Sequence, residues 1–436
     1  MENFLNVINF IQLNTWDINR ILQNDELEEM VPLSSFLKHY QKVVSKEEAI
    51  DKHLYIVSKI SFGGTLYLND FDKIYTVKGS LYEIPKNAIT YSKINVRHGC
   101  CYWNTTSNSV LASSEYPTFL VDENKVLPEY LIMVLRHPRT LKQFNSKLRG
   151  FTKARVSVTE FLLTKIPLPS IEKQKELVAQ YNASLNLAKD KENQADTMEQ
   201  SIDDYLMAKL GIKDNLISTN KNLFQTVEYK NLSKWVLDAS YSISSKYKIF
   251  SFDEVCSKIT DGTHQTPEYV SQGITFLSAK DVTSQELSLK NVKYIPEYLH
   301  NQLKTRCLPQ KDDILLAKNG TTGVAALFTL DYEVSIYVSL ALLRCNLQLI
   351  LPKFLLYYIN SKFAKEQFDK GLIGVGVPNL HLSVIKNTLI PLPPLDIQNQ
   401  IVEEITLKKE QIKNLRDESE KLRSQALSDF EKEVFN

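Results

Sequence analysis

Residues 165–178 read KIPLPSIEKQKELV, and 224 positions later residues 389–402 read LIPLPPLDIQNQIV. The stretches agree at Ile166/Ile390, Pro167/Pro391, Leu168/Leu392, Pro169/Pro393, Gln174/Gln398 and Val178/Val402. A self-match at fixed offset is the signature of a repeat, and sliding one half of the chain along the other extends it. At the same offset PEYL (128–131) faces PKFL (352–355), Phe144 faces Phe368, and LRG (148–150) faces LIG (372–374). With a one-residue slip, KNAITYSK (86–93) faces KDDILLAK (311–318). Near the starts the offset falls to 219, where Trp16 faces Trp235, Leu33 faces Phe252 and Phe36 faces Val255. Blocks recur in the same order, with the small changes of offset that loop insertions produce. The chain is two copies of one unit.

Each copy has the same internal plan. Its first part, roughly 30–165 and 248–390, mixes short apolar runs such as HLYIVSKI and GITFLSA with turn signals such as FGG, NDFD, TDGT and KNGTTG. That pattern predicts strands joined by turns. An amphipathic helix follows, LPEYLIMVLRHPRTLKQF in one copy and LPKFLLYYINSKFAKEQF in the other. Proline fixes φ and cannot continue a helix, so each IPLP phrase is an extended strap, and a long helix begins after it. In 395–430 apolar residues recur at Ile401, Ile405, Ile412, Leu415, Leu422, Ala426 and Phe430, interrupted by Lys408 and Ser419. In 171–210 the series is Ile171, Val178, Tyr181, Leu185, Ala188, Ala195, Ile202, Tyr205 and Leu210, with Gly211 at a helix-stopping position. Such stripes are coiled-coil seams, and some 40 helical residues reach about 60 Å. The residues expected to pack the spacer helices are Val178, Tyr181, Leu185, Ile202, Ile401, Ile405, Ile412, Leu415 and Leu422. The alternative is that each helix packs only on its own globular part.

The fold class expected is therefore α+β: two mixed α/β heads related by the repeat, separated by two long antiparallel coiled-coil helices. The boundaries are a first head at 1–165, a strap and helix at 166–215, a linker at 216–247, a second head at 248–390, and a second strap and helix at 391–436.

Bulk composition is that of an ordinary globular chain, 43% hydrophobic and 24% charged with net charge +1. The stretch 136–155 nevertheless carries seven Lys or Arg and no acid, a local footprint for phosphate or a solvated helix face. Five cysteines without CxxC spacing point to a reducing, cytoplasmic setting and away from disulfides and zinc. No secretory start is visible in MENFLNVINFIQLN. The apolar stretch 334–359 is broken by Arg344 and Lys353, so it reads as a buried strand and a core helix. Motifs for catalysis are missing. KNGTTG (318–323) lacks the P-loop ending and reads as a hairpin turn, and no Gly-rich fingerprint suggests a dinucleotide or S-adenosylmethionine site. The seven histidines show no metal-ligand spacing, and His264 in ITDGTHQTPEY sits in a turn-forming loop. Asp312, Asp313 and Lys318 form only a fragment of a nuclease set.

In the second copy ITDGTHQTPEY (259–269), GITFLSAKDV (273–282), DDILLAKNGTTGVAAL (312–327) and LIPLPPLDIQNQIVEEI (389–405) follow in order, with WVLDASY (235–241) as a lead-in. Together they resemble the specificity subunit of Type I restriction-modification systems. The first copy shares only the later blocks, and where DGTH would stand it reads LKHYQKVVS. The resemblance implies two target-recognition domains, each reading half of a bipartite, asymmetric site in double-stranded DNA. The paired helices set the unread interval. It also implies a chain without chemistry or cofactor of its own. Two methyltransferase subunits would supply S-adenosylmethionine and flip an adenine for N6 methylation. Two motor-nuclease subunits, with ATP and Mg, would add cleavage in the restriction form. The DNA contacts expected are Lys93, Arg97, His98, Arg149, Lys153 and Arg155 in the first head. In the second they are His264, Gln265, Lys280, Lys318, Asn319, Thr321 and Thr322. Other readings are a subunit of a methylation-only complex, a fused nuclease or methyltransferase fragment, and a coiled-coil scaffold that binds proteins alone.

Overall fold

The computed structural model describes residues 30–106, 109–146, 155–212, 244–372 and 379–435. Trp16, Trp235, the WVLDASY lead-in and most of the LRG/LIG match lie outside the described residues. Two compact units emerge: one runs to Lys189 and takes in Ser419 onward, and the other is Asp190–Glu418.

The repeat is visible hydrogen bond by hydrogen bond. In the first unit a four-stranded sheet has the order Leu37–Tyr40, Thr118–Val121, Ile89–Tyr91, Cys101–Trp103. In the second the order is Cys256–Asp261, Leu340–Cys345, Ile314–Ala317, Ala325–Leu327. Val121 pairs with Leu37 as Cys345 pairs with Cys256, and Ile89 pairs with Phe119 as Ile314 pairs with Leu343. Asn87 and Asp312 both take positive φ, at 62° and 72°, entering the matched strands. Val156 N donates to Lys93 O, and Leu380 N to Lys318 O. One change of offset has a visible cause: a β-bulge between Cys256 and Lys258 adds one residue to that strand.

The two straps are equally alike. Val31–Pro32 pairs antiparallel with Lys165–Ile166, and Ile249–Ser251 with Leu389–Pro391. Gln143 closes a two-way amide clamp on the Lys165 backbone, at 2.9 and 3.3 Å. Gln367 does the same on Leu389, at 2.9 and 2.7 Å. What differs is the insert. The first unit adds a five-stranded sheet ordered Val43–Val44, Leu81–Ile84, Val110–Ala112, Ile56–Ile60, Leu66–Asn69. The second adds only Lys293–Ile295, Ile274–Leu277 and Ser335–Ile336.

Both cores form between the four-stranded sheet and helices begun by proline, Pro128–Arg136 and Pro352–Ile359, where proline suits the first helical turn. The first core is aromatic, with Tyr91 and Phe161 stacked at 4.0 Å and Phe144 on Phe161 at 5.7 Å. The expected buried strand and core helix of 334–359 are Leu340–Cys345 and Pro352–Ile359. All five cysteines are free thiols, and burial pushes Cys100 and Cys307 up to about 11. Among the described residues no helix is long and apolar enough to cross a membrane.

The long helices are Ile171–Leu210 and Leu395–Phe435, the first ending before Gly211, whose φ is 62°. Within the first unit the start of one meets the end of the other: Leu177, Val178 and Tyr181 join Phe430 and Val434 in one core. Within the second unit Ile202, Leu206 and Leu210 pack with Ile401 and Ile405. The pairing is antiparallel in each. Ile412 is buried, whereas Leu185, Leu415 and Leu422 are half-buried and do not fill the seam as the stripe predicts. Ala188 and Ala426, which belong to the same apolar series, are buried. Ser419 does not interrupt the seam: its hydroxyl is buried and donates to Ala188 O at 2.8 Å.

Candidate nucleic-acid interface

In the second unit the strand Cys256–Asp261 ends at the TDGTH loop and Ile314–Ala317 ends at the KNGTTG turn, with Leu340–Cys345 between them. The last residue of the first strand, Asp261, meets the first residue after the second, Lys318. Lys318 Nζ lies 2.7 Å from Asp261 Oδ2, and both side chains are under 10% exposed. Arg306 reaches Asp261 Oδ1 at 2.6 Å, and His264 Nε2 lies 3.3 Å from the same oxygen. Burial works to raise the Asp261 carboxyl, but the Lys318 hydrogen bond and charge, with His264, outweigh it and hold it below the ordinary value. Gly262 is required by close approach, since a Cβ there would overlap the Ile336 carbonyl. Thr263 N then donates to Ile336 O at 3.1 Å and Val338 N to Thr263 O at 2.9 Å.

This frame presents His264 and Gln265 outward beside the hairpin turn carrying Asn319, Thr321 and Thr322, in which Gly320 and Gly323 take positive φ. KNGTTG is the hairpin turn expected, joining the antiparallel strands Ile314–Ala317 and Ala325–Leu327. Lys280 is exposed, its ammonium donating to Asn291 O at 2.6 Å. Lys318 is a correction. Buried and neutralised by Asp261, its ammonium holds the two loops together and is not presented to a phosphate. The nuclease fragment does not assemble either. Asp313 is held by a two-toothed Arg344 at 2.8 and 2.7 Å, while Lys318 faces Asp261. No cluster of His, Cys, Asp and Glu among the described residues could hold a metal.

The first unit distributes its cations differently. His98 is exposed, lies 4.7 Å from the Phe62 ring and accepts a hydrogen bond from Arg97 Nε at 3.1 Å, and Phe62 itself is 65% exposed. Arg155 pairs with Glu115 at 3.1 Å on the surface. Lys93 lines a cavity together with His39 and Gln41. Arg149 and Lys153 lie outside the described residues. Part of the basic stretch 136–155 is already engaged within the first unit, Arg136 half-buried and Arg139 on the surface. Arg136 donates to Cys101 O and Gly64 O at 2.8 and 3.3 Å, and Arg139 bonds Glu431 and Phe435 O at 3.0 and 2.8 Å. Sequence reasoning missed Phe62, whose FGG context reads only as a turn, and Arg306, which carries no local signal at all.

Comparison with known proteins places this geometry. The family model described as Type I restriction modification DNA specificity domain matches residues 29–194 and 244–422. The Type I restriction enzyme MjaVIII specificity subunit of Methanocaldococcus jannaschii is 24% identical over 292 residues, 66% of this chain and 64% of that relative. The Type I restriction enzyme EcoBI specificity subunit of Escherichia coli is 23% identical over 288 residues, 65% of this chain and 59% of that relative. The matches thus span about three fifths of these relatives' lengths. A chain solved in work on complex assembly and conformational transition of the type I R-M system superposes with a TM-score of 0.60. It shares 16% identity, and the match covers 93% of this chain and 96% of that one, a likeness of fold.

Proposed function

Because the chain belongs to the Type I restriction modification DNA specificity domain family, we propose that it is the non-catalytic DNA-reading subunit of a cytoplasmic Type I restriction-modification complex. Each head reads one half of a bipartite site, and the paired helices set the interval between the halves. The observation that carries this reading is the duplicated sheet frame, matched in register, whose loops differ between the copies. A shared frame with divergent loops is what two readers of two different half-sites require, since base edges specify and phosphates position. The methyl transfer, and the ATP-driven cleavage where it occurs, belong to two methyltransferase and two motor-nuclease partners that bring S-adenosylmethionine, ATP and Mg. DNA contacts fall to the exposed His98, Arg155, His264, Gln265, Lys280 and Thr321 and the half-buried Arg97, Asn319 and Thr322, joined by Arg149 and Lys153.

Adenine-methylation mapping tests the reading in cells carrying the methyltransferase subunit with and without this chain. A bipartite methylated motif that appears only with the chain is the expected result; an unchanged methylome beside a confirmed complex overturns it. A finer prediction concerns phosphate. The double variant Arg149→Glu, Lys153→Glu weakens binding of the assembled complex to all duplexes alike. It also lowers the slope of log affinity against log salt by about 0.9 for each phosphate no longer neutralised. A change confined to one sequence, or none, assigns these residues elsewhere.

A further inference from the structure

The register shared by the two units shows where the first departs from the second. Tyr40 pairs with Thr118 as Thr260 pairs with Leu342, so Gln41 stands where the second unit has Asp261. Lys93 corresponds to Lys318 through the matched strands, with Lys93 N on Glu115 O and Lys318 N on Ser339 O. The second unit's buried ammonium is neutralised by a carboxylate; the half-buried Lys93 has a neutral residue, Gln41, at the position corresponding to that carboxylate. A second substitution runs the same way. Leu342 is a buried apolar residue, and in its place Thr118 brings a buried hydroxyl without a hydrogen-bond partner among the described residues.

The first unit has here a cavity of about 80 Å³, lined by His39, Gln41, Tyr82, Lys93, Ser114 and Thr118 among others, with no carboxylate among the described residues of its walls. The nearest acid on a wall strand, Glu83, is already engaged by Lys42 at 3.0 Å, Tyr40 at 2.8 Å and Ser109 at 2.8 Å. Glu115, next to Ser114, pairs with Arg155. Burial and then the Lys93 charge hold the His39 imidazole below its ordinary value. An orphan buried hydroxyl asks for a partner. A cation with hydroxyl donors and no acid asks for an anion.

We propose that this cavity is a binding site for a phosphate-class oxyanion, held by Lys93 with the hydroxyls of Thr118 and Ser114. Such a group comes either from a DNA backbone or from a free phosphate-bearing ligand. The DNA source rests on the function proposed above; the anion site does not.

The test titrates the full chain with inorganic phosphate by calorimetry, beside Lys93→Gln, Lys93→Arg and Gln41→Asp. Gln41→Asp installs the second unit's internal carboxylate. Wild type and Lys93→Arg bind one phosphate, and Lys93→Gln and Gln41→Asp lose about tenfold or more, the scale of one charge-assisted hydrogen bond. Phosphate also raises the melting temperature of wild type and Lys93→Arg but not of Lys93→Gln or Gln41→Asp, and melts without phosphate establish that each variant is folded. No binding by wild type, or equal binding by folded Gln41→Asp, overturns the site. Duplex titrations then separate the sources. A salt slope lowered by about one unit in Lys93→Gln marks a backbone phosphate, whereas unchanged DNA binding beside lost phosphate binding marks a free ligand. Failure of the DNA reading shows as no affinity for duplex in any form and leaves the phosphate titration standing.

Discussion

Asp261→Ala destabilises the second unit by about 3–5 kcal/mol, the usual cost of removing one member of a buried ion pair. The size follows from what is left behind. Lys318 is sealed by its neighbours with its side chain 7% exposed, and Asp261 is its carboxylate. Arg306 and His264 lose the same anchor, but both are exposed and rehydrate at little cost. Urea unfolding of the full chain, followed by hydrogen exchange in the 256–261 and 314–317 strands, reads the loss where it occurs. Asp261→Leu with Lys318→Met restores most of the stability, because a packed apolar pair replaces both charges. If the double variant is as unstable as the single, the lost ion pair is not the cause. The pH dependence has a definite sign. The folded carboxyl is held below its unfolded value, so its contribution is present above an unfolded pKa of about 3.9. That contribution is lost as pH falls through the lower folded value. The gap in urea midpoint between wild type and Asp261→Asn therefore narrows on the acid side of about pH 4 and is flat above about pH 6.

The same ion pair shows what a sequence carries and what it withholds. The duplication, the straps and the long helices are legible because they rest on local signals: paired prolines, apolar spacing, and Gln174 and Gln398 at one offset. Seams made of leucines are legible for the same reason. A polar link in the seam is not: Ser419 reads as an interruption, because a serine on a helix carries no hydrophobic signal, yet its buried hydroxyl bonds Ala188 O. Lys318 reads as a loop cation until the fold brings Asp261, 57 residues earlier, against it. Arg136 and Arg139 read as part of a basic surface until backbone carbonyls and Glu431 claim them. Charges are assigned by long-range partners, and one chain states such partners nowhere. The first head's LKHYQ segment likewise shows no kinship to ITDGT until the strand register aligns Gln41 with Asp261.

Gln398→Leu costs the second unit roughly 3–5 kcal/mol, from three buried backbone groups each left short of a partner at about 1–3 kcal/mol. The Gln398 amide is wholly buried at the first turn of the second long helix. Its Oε1 accepts Leu351 N at 2.8 Å, and its Nε2 donates to Leu349 O and Pro393 O, both at 2.9 Å. Leucine fills the space and answers none of the three. Gln174 makes the same contacts in the first unit, with Leu127 N at 2.8 Å, Lys125 O at 3.1 Å and Pro169 O at 2.8 Å. Each glutamine thus ties three things at one point: the strap, the first turn of the long helix, and the loop that launches the head's proline-started helix. The direction in which the helix leaves its head is set there. Gln398→Glu separates hydrogen bonding from packing: it keeps the volume and one acceptor but puts an unpaired charge in the same site, and it is at least as damaging as leucine. Hydrogen exchange locates the effect. Amides of 349–359 and 395–405 lose protection in Gln398→Leu, and those of 125–136 and 171–181 lose it in Gln174→Leu. Loss spread evenly over both units in either variant, or a urea midpoint unmoved in both, refutes the pin.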